Sequence, residues 1–386
     1  MKGSGVAAGS ARGLIRVLHV VLDMDLGGLQ RVVNILVRNM DQSVFTPSVC
    51  CLDRGGLFLE GLEQDGFETT VLGRRPGLFD ARLFARLVGL VRRKRIEVIH
   101  SHNGCTLYGA LAGRLGGVRG IVHTDHGRLV PDRQGAILED RYCSRMINAF
   151  VGVSEELTEY LAATVGVGRS RLRTVINGVD CDHFHPFSAE QRRQGRRELG
   201  LPEDSLVLGT LCRLDPIKNL GLMVRGFSEV SSRLPGSVLV IAGDGPSERE
   251  LKEQVAALGL EGSVMFLGRR DDPEKILPLL DLYLSTSHSE GTSMTILEAM
   301  ACCVPVVATA VGGNVRLVDE SVGVLVPPGD EGVLLQEVAR LLSAPRSLSA
   351  LGEGARRVAV ERYAAAHFVR AYEDLYREVC ELRVDR

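Results

Sequence analysis

Tryptophan is absent from these 386 residues, and phenylalanine and tyrosine bring the aromatic share to only 5%. So thin a supply argues against a face of stacked rings for single-stranded nucleic acid, and no nucleic-acid partner is expected. No apolar run approaches the roughly 20 residues of a membrane span. The nine cysteines include no C-x-x-C pair. Two adjacent pairs, Cys50-Cys51 and Cys302-Cys303, suit small core residues better than a zinc cage, and a reducing cytoplasm fits. The loop after the first apolar run lacks a complete G-x-G-x-x-G, which leaves a dinucleotide fold poorly supported. Residues 1–14 are small, Gly/Ala/Ser-rich and weakly basic. They lack the apolar centre of a signal peptide and read as a flexible tail.

What is present is ordinary globular material, 45% hydrophobic and 24% charged, at a length that favours two domains. The net charge of −2 is uneven: residues 1–185 hold 23 Lys/Arg and 19 Asp/Glu (+4), the remainder 23 and 29 (−6). A basic first half would suit an anionic acceptor or lipid surface, although ordinary surface scatter accounts for it equally well. Short apolar runs at 15–22, 45–52, 69–72, 96–100, 121–124 and 149–153 alternate with helical periodicity at 30–40, 83–95 and 107–115. This pattern predicts a parallel sheet covered on both faces. It restarts at 206–212, with further strands at 238–242, 264–267, 282–285 and 306–309 and helices at 220–233 and 247–258. The polar stretch 186–204 marks the junction, and 364–381 reads as an amphipathic closing helix. The fold class is therefore α/β, two doubly wound Rossmann-like sheets facing a central cleft, where ligands meet the carboxyl ends of the strands.

The segment 288–300 carries the strongest chemical signal. Glu290 is followed by Gly291, Thr292, Ser293, Met294 and Thr295, and then by Glu298 inside an apolar helical run. A loop turning into a helix offers unpaired N–H groups and the positive end of a dipole to a phosphate. The two carboxylates are then free to meet hydroxyl groups, and a sugar nucleotide presents both kinds of partner. Arg213 and Lys218, just past a buried strand, place two cations where a diphosphate would need them without a metal. Gly27 and Gly28 allow close backbone approach. Gly243 opens a sharp turn bordering a nucleotide site, and Arg269 follows the next strand, where a base would lie. His126, before Gly127, is placed to look into the cleft. His100, His102 and Asn103 end another strand and are candidate acceptor contacts, whereas His19 reads as a packed core residue with a satisfied hydrogen bond. Neither the histidines nor the Asp23/Asp25 pair has a convincing metal-ligand pattern, and no metal or other cofactor is expected.

In order and spacing these pieces resemble the retaining glycosyltransferases of family 4, with the GT-B fold. The resemblance runs from Gly27-Gly28 through residues 97–102, His126-Gly127, 151–154 and 177–180 to Arg213…Lys218, 243–246, Glu290…Glu298, 311–313 and 326–330. It implies a sugar held by Glu290, a ribose by Glu298, a diphosphate by Arg213 and Lys218 with backbone around Gly28 and 292–295, and His126 near the reacting carbon. It also implies a first domain at 15–186 on the acceptor side, a linker at 187–204, a nucleotide-sugar domain at 205–362, and a last helix at 363–386 returning to the first domain. Gln30 stands where the family often has Glu, and Val315-Arg316 where it commonly has Pro-Glu.

The resulting expectation is sugar transfer from a nucleotide diphosphate sugar, UDP-sugar favoured, to a hydroxyl on a glycan, a lipid-linked or a small-molecule acceptor. The alternatives are a nucleotide-sugar isomerase or epimerase of similar architecture and a non-catalytic nucleotide-sugar-binding protein. The basic helix at 83–95, with Arg82, Arg86, Arg92, Arg93, Lys94 and Arg95 around an apolar stripe, suggests a cytoplasmic protein in peripheral contact with an anionic membrane.

Overall fold

The computed structural model describes residues 14–74, 80–128 and 132–381; most of the predicted tail lies outside them. Two all-parallel sheets organise the chain. The first contains β1 (Ile15–Val21), β2 (Phe45–Cys51), β3 (Glu68–Val71), β4 (Val98–His102), β5 (Gly120–Asp125), β6 (Ala149–Gly152) and β7 (Leu172–Thr174), in the order β3-β2-β1-β4-β5-β6-β7. The second contains β8 (Val207–Leu211), β9 (Val238–Ala242), β10 (Val264–Gly268), β11 (Leu282–Ser285), β12 (Val306–Thr309) and β13 (Gly323–Val326), in the order β10-β9-β8-β11-β12-β13. The central strands β1, β4, β8 and β11 are buried on both faces because helices cover both sides, and β4 carries His100, Ser101 and His102 into that buried position.

Strand order reverses between β1 and β4 in the first sheet and between β8 and β11 in the second. At each reversal the flanking loops leave in opposite directions and open a crevice at the strand ends. The Gly27-Gly28, His126, Arg213–Lys218 and Glu290 segments all emerge at or beside these crevices.

The stretch predicted as a linker is not structureless. Ala189–Glu198 is helical, started by a capping box between Ser188 and Gln191. Arg196, 5% exposed, donates to Asp281 at 2.8 Å and to the carbonyls of Leu279, Glu203 and Ser205, which fastens this helix to the second domain. Its polar composition hid one buried, fully used arginine.

The final helix, Ala365–Glu381, packs on β5 and on the helix Gly28–Asn39 of the first domain. Tyr372, Tyr376, Phe368 and Val379 are buried there, each contributing on the order of 1.5–3 kcal/mol by leaving water. The chain thus crosses between domains twice, and the crossings touch. Val179 N–H donates to Tyr363 O, and Ala365 N–H donates to Val179 O, both at 2.8 Å.

The apolar stripe of the basic helix, Ala81–Arg93, faces the protein interior. Leu83, Leu87, Leu90 and Val91 are buried in the protein core. Arg86 and Arg92 donate to the carbonyls of Leu72 and Leu115, and Lys94 pairs with Glu68. No helix among the described residues is long and apolar enough to cross a membrane.

Candidate active site

Between the domains lies a cavity of about 700 Å³. Its wall includes Gly27, Gly28, Arg31 and His126 from the first domain. From the second come Arg213, Lys218, Gly243, Arg269, Glu298 and the run from Glu290 to Thr295. All the predicted donor-side residues therefore meet in one space.

The loop after β11 is shaped from behind by glycine. Gly312 has φ +50, and a Cβ there would stand 1.8 Å from Glu290 O; a Cβ on Gly313 would stand 2.2 Å from Gly291 O. Only backbone without side chains can lie that close, so these two glycines fix the height of the Glu290 loop. Gly243 does the same for the next loop, where a Cβ would sit 1.9 Å from Cys212 O. Ser293 then caps the helix Met294–Ala301 by accepting from Ile296 N–H. The first N–H groups of that helix lack intrahelical acceptors, and they lie at the cavity wall opposite Gly28.

Lys218 Nζ donates to Glu290 Oε1 at 2.5 Å, and Ser287 Oγ donates to the same oxygen at 2.7 Å. Arg213 is different: its side chain is 73% exposed, with Asp215 3.7 Å away. One cation is thus held and the other is free to move onto a ligand. Glu298 is fully enclosed, its Oε1 accepting from Arg31 Nη1 at 2.7 Å. Burial pushes its carboxyl up, and Arg31 opposes that shift. Arg269 also bridges the cleft, to Asp25 at 2.6 Å.

His126 Nε2 lies 2.9 Å from His102 Nδ1, and His102 Nε2 lies 3.3 Å from His19 Nδ1. Burial keeps these rings neutral. The pKa of His126 is lowered to about 3, that of His19 to about 3, and those of His100 and His102 to well below the ordinary value.

The acceptor assignment of His100 and His102 is overturned. Both are fully buried, and His100 is locked between Tyr376 Oη at 2.6 Å and Thr124 Oγ1 at 2.7 Å. The closing helix covers His100 through Tyr372 and Tyr376, and His102 is enclosed by His19, His100 and His126. Asn103 lies outside the cavity wall, where its amide bonds Gly127 O and receives His126 N–H. His19 is the packed core residue expected, fully buried with Nδ1 bonded to His102, while its Nε2 has no hydrogen-bond partner among the described residues. His19, His100 and His102 are grouped closely enough to suggest a metal site, but both His100 nitrogens already serve Tyr376 and Thr124. Asp23 accepts from Gln30 at 3.0 Å, so the glutamine in the usual glutamate position anchors the first loop. Arg31, Ser287 and Gly312-Gly313 are among the members of the site that carried no assigned role in the sequence reading. Arg31 follows Gly27-Gly28 at the helical spacing that turns a side chain towards the cleft, and that was the available signal.

Residues 26–183 match the family described as Glycosyltransferase Family 4, and residues 191–358 match Glycosyl transferases group 1. The D-inositol 3-phosphate glycosyltransferase of Saccharomonospora viridis is 30% identical over 367 residues, covering 89% of this chain and 80% of that protein. The chain belongs to glycosyltransferase family 4. This family 4 glycosyltransferase is also 25% identical to the Escherichia coli UDP-Gal:alpha-D-GlcNAc-diphosphoundecaprenol alpha-1,3-galactosyltransferase, over 95% of this chain and 98% of that one. Its GT-B architecture superposes on Anabaena HepE, solved with UDP and glucose, with a TM-score of 0.85 at 22% identity, over 94% of this chain and 100% of that one.

Proposed function

We propose that this glycosyltransferase moves a sugar from a UDP-sugar to a hydroxyl acceptor with retention of anomeric configuration and without a metal. The carrying observation is the cavity in which Lys218, Glu290, Glu298 and the start of the helix Met294–Ala301 meet Gly28 and His126. The uridine base is favoured by the relatives: one is named for UDP-Gal and a structural neighbour was solved with UDP. In this reading Glu298 accepts the ribose hydroxyls, and Lys218, Arg213 and the helix N–H groups take the diphosphate. Glu290 holds sugar hydroxyls, and His126 contacts the sugar near its reacting carbon.

The bond from the anomeric carbon to the diphosphate oxygen breaks as the acceptor oxygen bonds to that carbon on the same face. The acceptor proton passes to the departing phosphate oxygen, and the nucleoside diphosphate leaves. Catalysis comes chiefly from stabilising the charge that grows on that diphosphate. Closure of the lobes keeps water from taking the sugar. No carboxylate is assigned as a nucleophile: Lys218 and Ser287 already engage Glu290.

The acceptor is a hydroxyl-bearing glycan, lipid-linked or small molecule. The test is UDP release from a panel of UDP-sugars with each acceptor class, together with the anomeric configuration of the product by NMR. Sugar conversion without UDP release would indicate an isomerase, and binding without turnover a sensor. An inverted product, or activity abolished by EDTA, would refute the retention or metal-free part. Cosedimentation with anionic vesicles tests membrane contact separately.

A further inference from the structure

Glu298 has no exposed surface, yet only one of its two oxygens has a protein partner. Oε1 receives Arg31 Nη1, and Oε2 receives nothing. A carboxylate half-satisfied in so enclosed a place is costly unless something else arrives to meet it. The arginine comes from the opposite domain, on the helix Gly28–Asn39, immediately beyond the glycines of the first loop. It is itself held. Its guanidinium carbon lies 5.8 Å from the ring centroid of Phe58 and 5.7 Å from that of Phe184, and its side chain is 18% exposed. Two rings fix where this cation stands before a ligand enters.

The surroundings of Glu298 otherwise disfavour its charge. Burial raises its pKa, Arg31 lowers it, and Glu274 on the neighbouring short helix raises it again. The neighbouring thiol, Cys302 at the C-terminal end of the same helix, is buried and kept protonated. Among the described residues Arg31 is thus the one cation acting on this carboxylate, and it belongs to the other lobe.

We propose that Arg31 is a positioning residue of the donor site: it reaches across the cleft, fixes the Glu298 carboxylate through Oε1, and leaves Oε2 for the vicinal hydroxyls of the donor ribose. This inference rests on the reading that Glu298 faces the ribose. Ribose recognition and apposition of the lobes then become one event, because the carboxylate is correctly set only while both domains touch. A nucleotide lacking those hydroxyls binds without drawing on the pair.

The test uses the full chain and calorimetric titration with UDP and with 2′,3′-dideoxy-UDP. For the wild type, hydrogen bonds to a charged group make UDP bind roughly tenfold to a hundredfold more tightly than the dideoxy compound. In Arg31→Met this preference collapses to within roughly threefold, through loss of UDP affinity with little change for dideoxy-UDP. Arg31→Lys, which keeps the charge without the planar fork, restores part of the preference and carries the same test should Arg31→Met fold poorly. In a Glu298→Gln background, Arg31→Met changes the preference no further. If both nucleotides weaken equally in the Arg31 variants, so that the preference persists, Arg31 is only structural and the proposal is overturned. Wild-type protein that does not bind UDP removes the uridine reading of the cavity, and this inference with it. Wild-type binding with an unchanged preference in both variants removes the inference alone.

Discussion

Lys218→Met is the sharpest test of the proposed chemistry. Lys218 Nζ donates to Glu290 Oε1, 2.5 Å away. In the reaction it is assigned to the leaving diphosphate. Unit charges about 4 Å apart attract by about 4 kcal/mol at an effective dielectric of about 20. The lysine side chain is 23% exposed, so water screens part of this; about 3 kcal/mol remains, or roughly 150-fold in kcat/KM. Methionine preserves the length of the stem and removes only the ammonium. The loss falls mainly on kcat, since the charge on the diphosphate grows as the bond breaks. Stability should change less: Glu290, at 11% side-chain exposure, keeps Ser287 as a partner, and the cost is about 1–2 kcal/mol. Steady-state UDP release, with thermal melting as the control for folding, measures both. A Lys218→Met enzyme within threefold of wild type in kcat/KM would refute the assignment of this cation to the diphosphate.

The remaining tests address acid sensitivity, loop geometry and the closing helix. Burial depresses the pKa values of His19 and His126 to about 3 and that of His123 to about 4, against 6.5 for a free imidazole. The unfolded chain therefore binds more protons than the folded one below pH 6.5, so stability is full above that pH and declines as pH falls beneath it. By pH 5 each of these rings costs about 2 kcal/mol, and the melting temperature should drop steeply between pH 6.5 and 5; a flat profile would refute neutral burial. Gly312→Ala places a Cβ against Glu290 O at a positive φ. It should lower both melting temperature and turnover, with the loss of turnover exceeding that of an alanine at the open Gly262. Tyr376→Phe removes the partner of buried His100 Nδ1 and should cost about 1–3 kcal/mol while leaving UDP affinity unchanged, as denaturant titration and calorimetry would show.

Much of this architecture was legible because a parallel strand buried on both faces has little choice of residue. The runs at 238–242, 282–285 and 306–309 coincide with β9, β11 and β12. The strands β7 and β13 escaped notice. Each is short, sits at a sheet edge and is only partly buried, so neither needs an unbroken apolar run. The donor side was legible for a related reason: loops at strand ends must be built from glycines, hydroxyls and charges, and those stand out from the apolar strands between them. The acceptor side was not. His100 and His102 look polar in sequence, yet both are fully buried, and Tyr372 and Tyr376, more than 270 residues later, cover and bind His100. No local pattern reports which distant helix will close over a strand end. Arg31 was passed over similarly, because a lone arginine on an amphipathic helix reads as solvated until the opposite lobe supplies Glu298.

The paired crossings at Val179 and Ala364 have a mechanical consequence. Two covalent tethers clasped side by side act as a door hinge with a single pin: the lobes can swing, but sliding apart or spinning must first strip the last helix from its berth. A nick in the backbone at either tether should leave the halves associated yet poorly aimed, even with every side chain of the cleft intact.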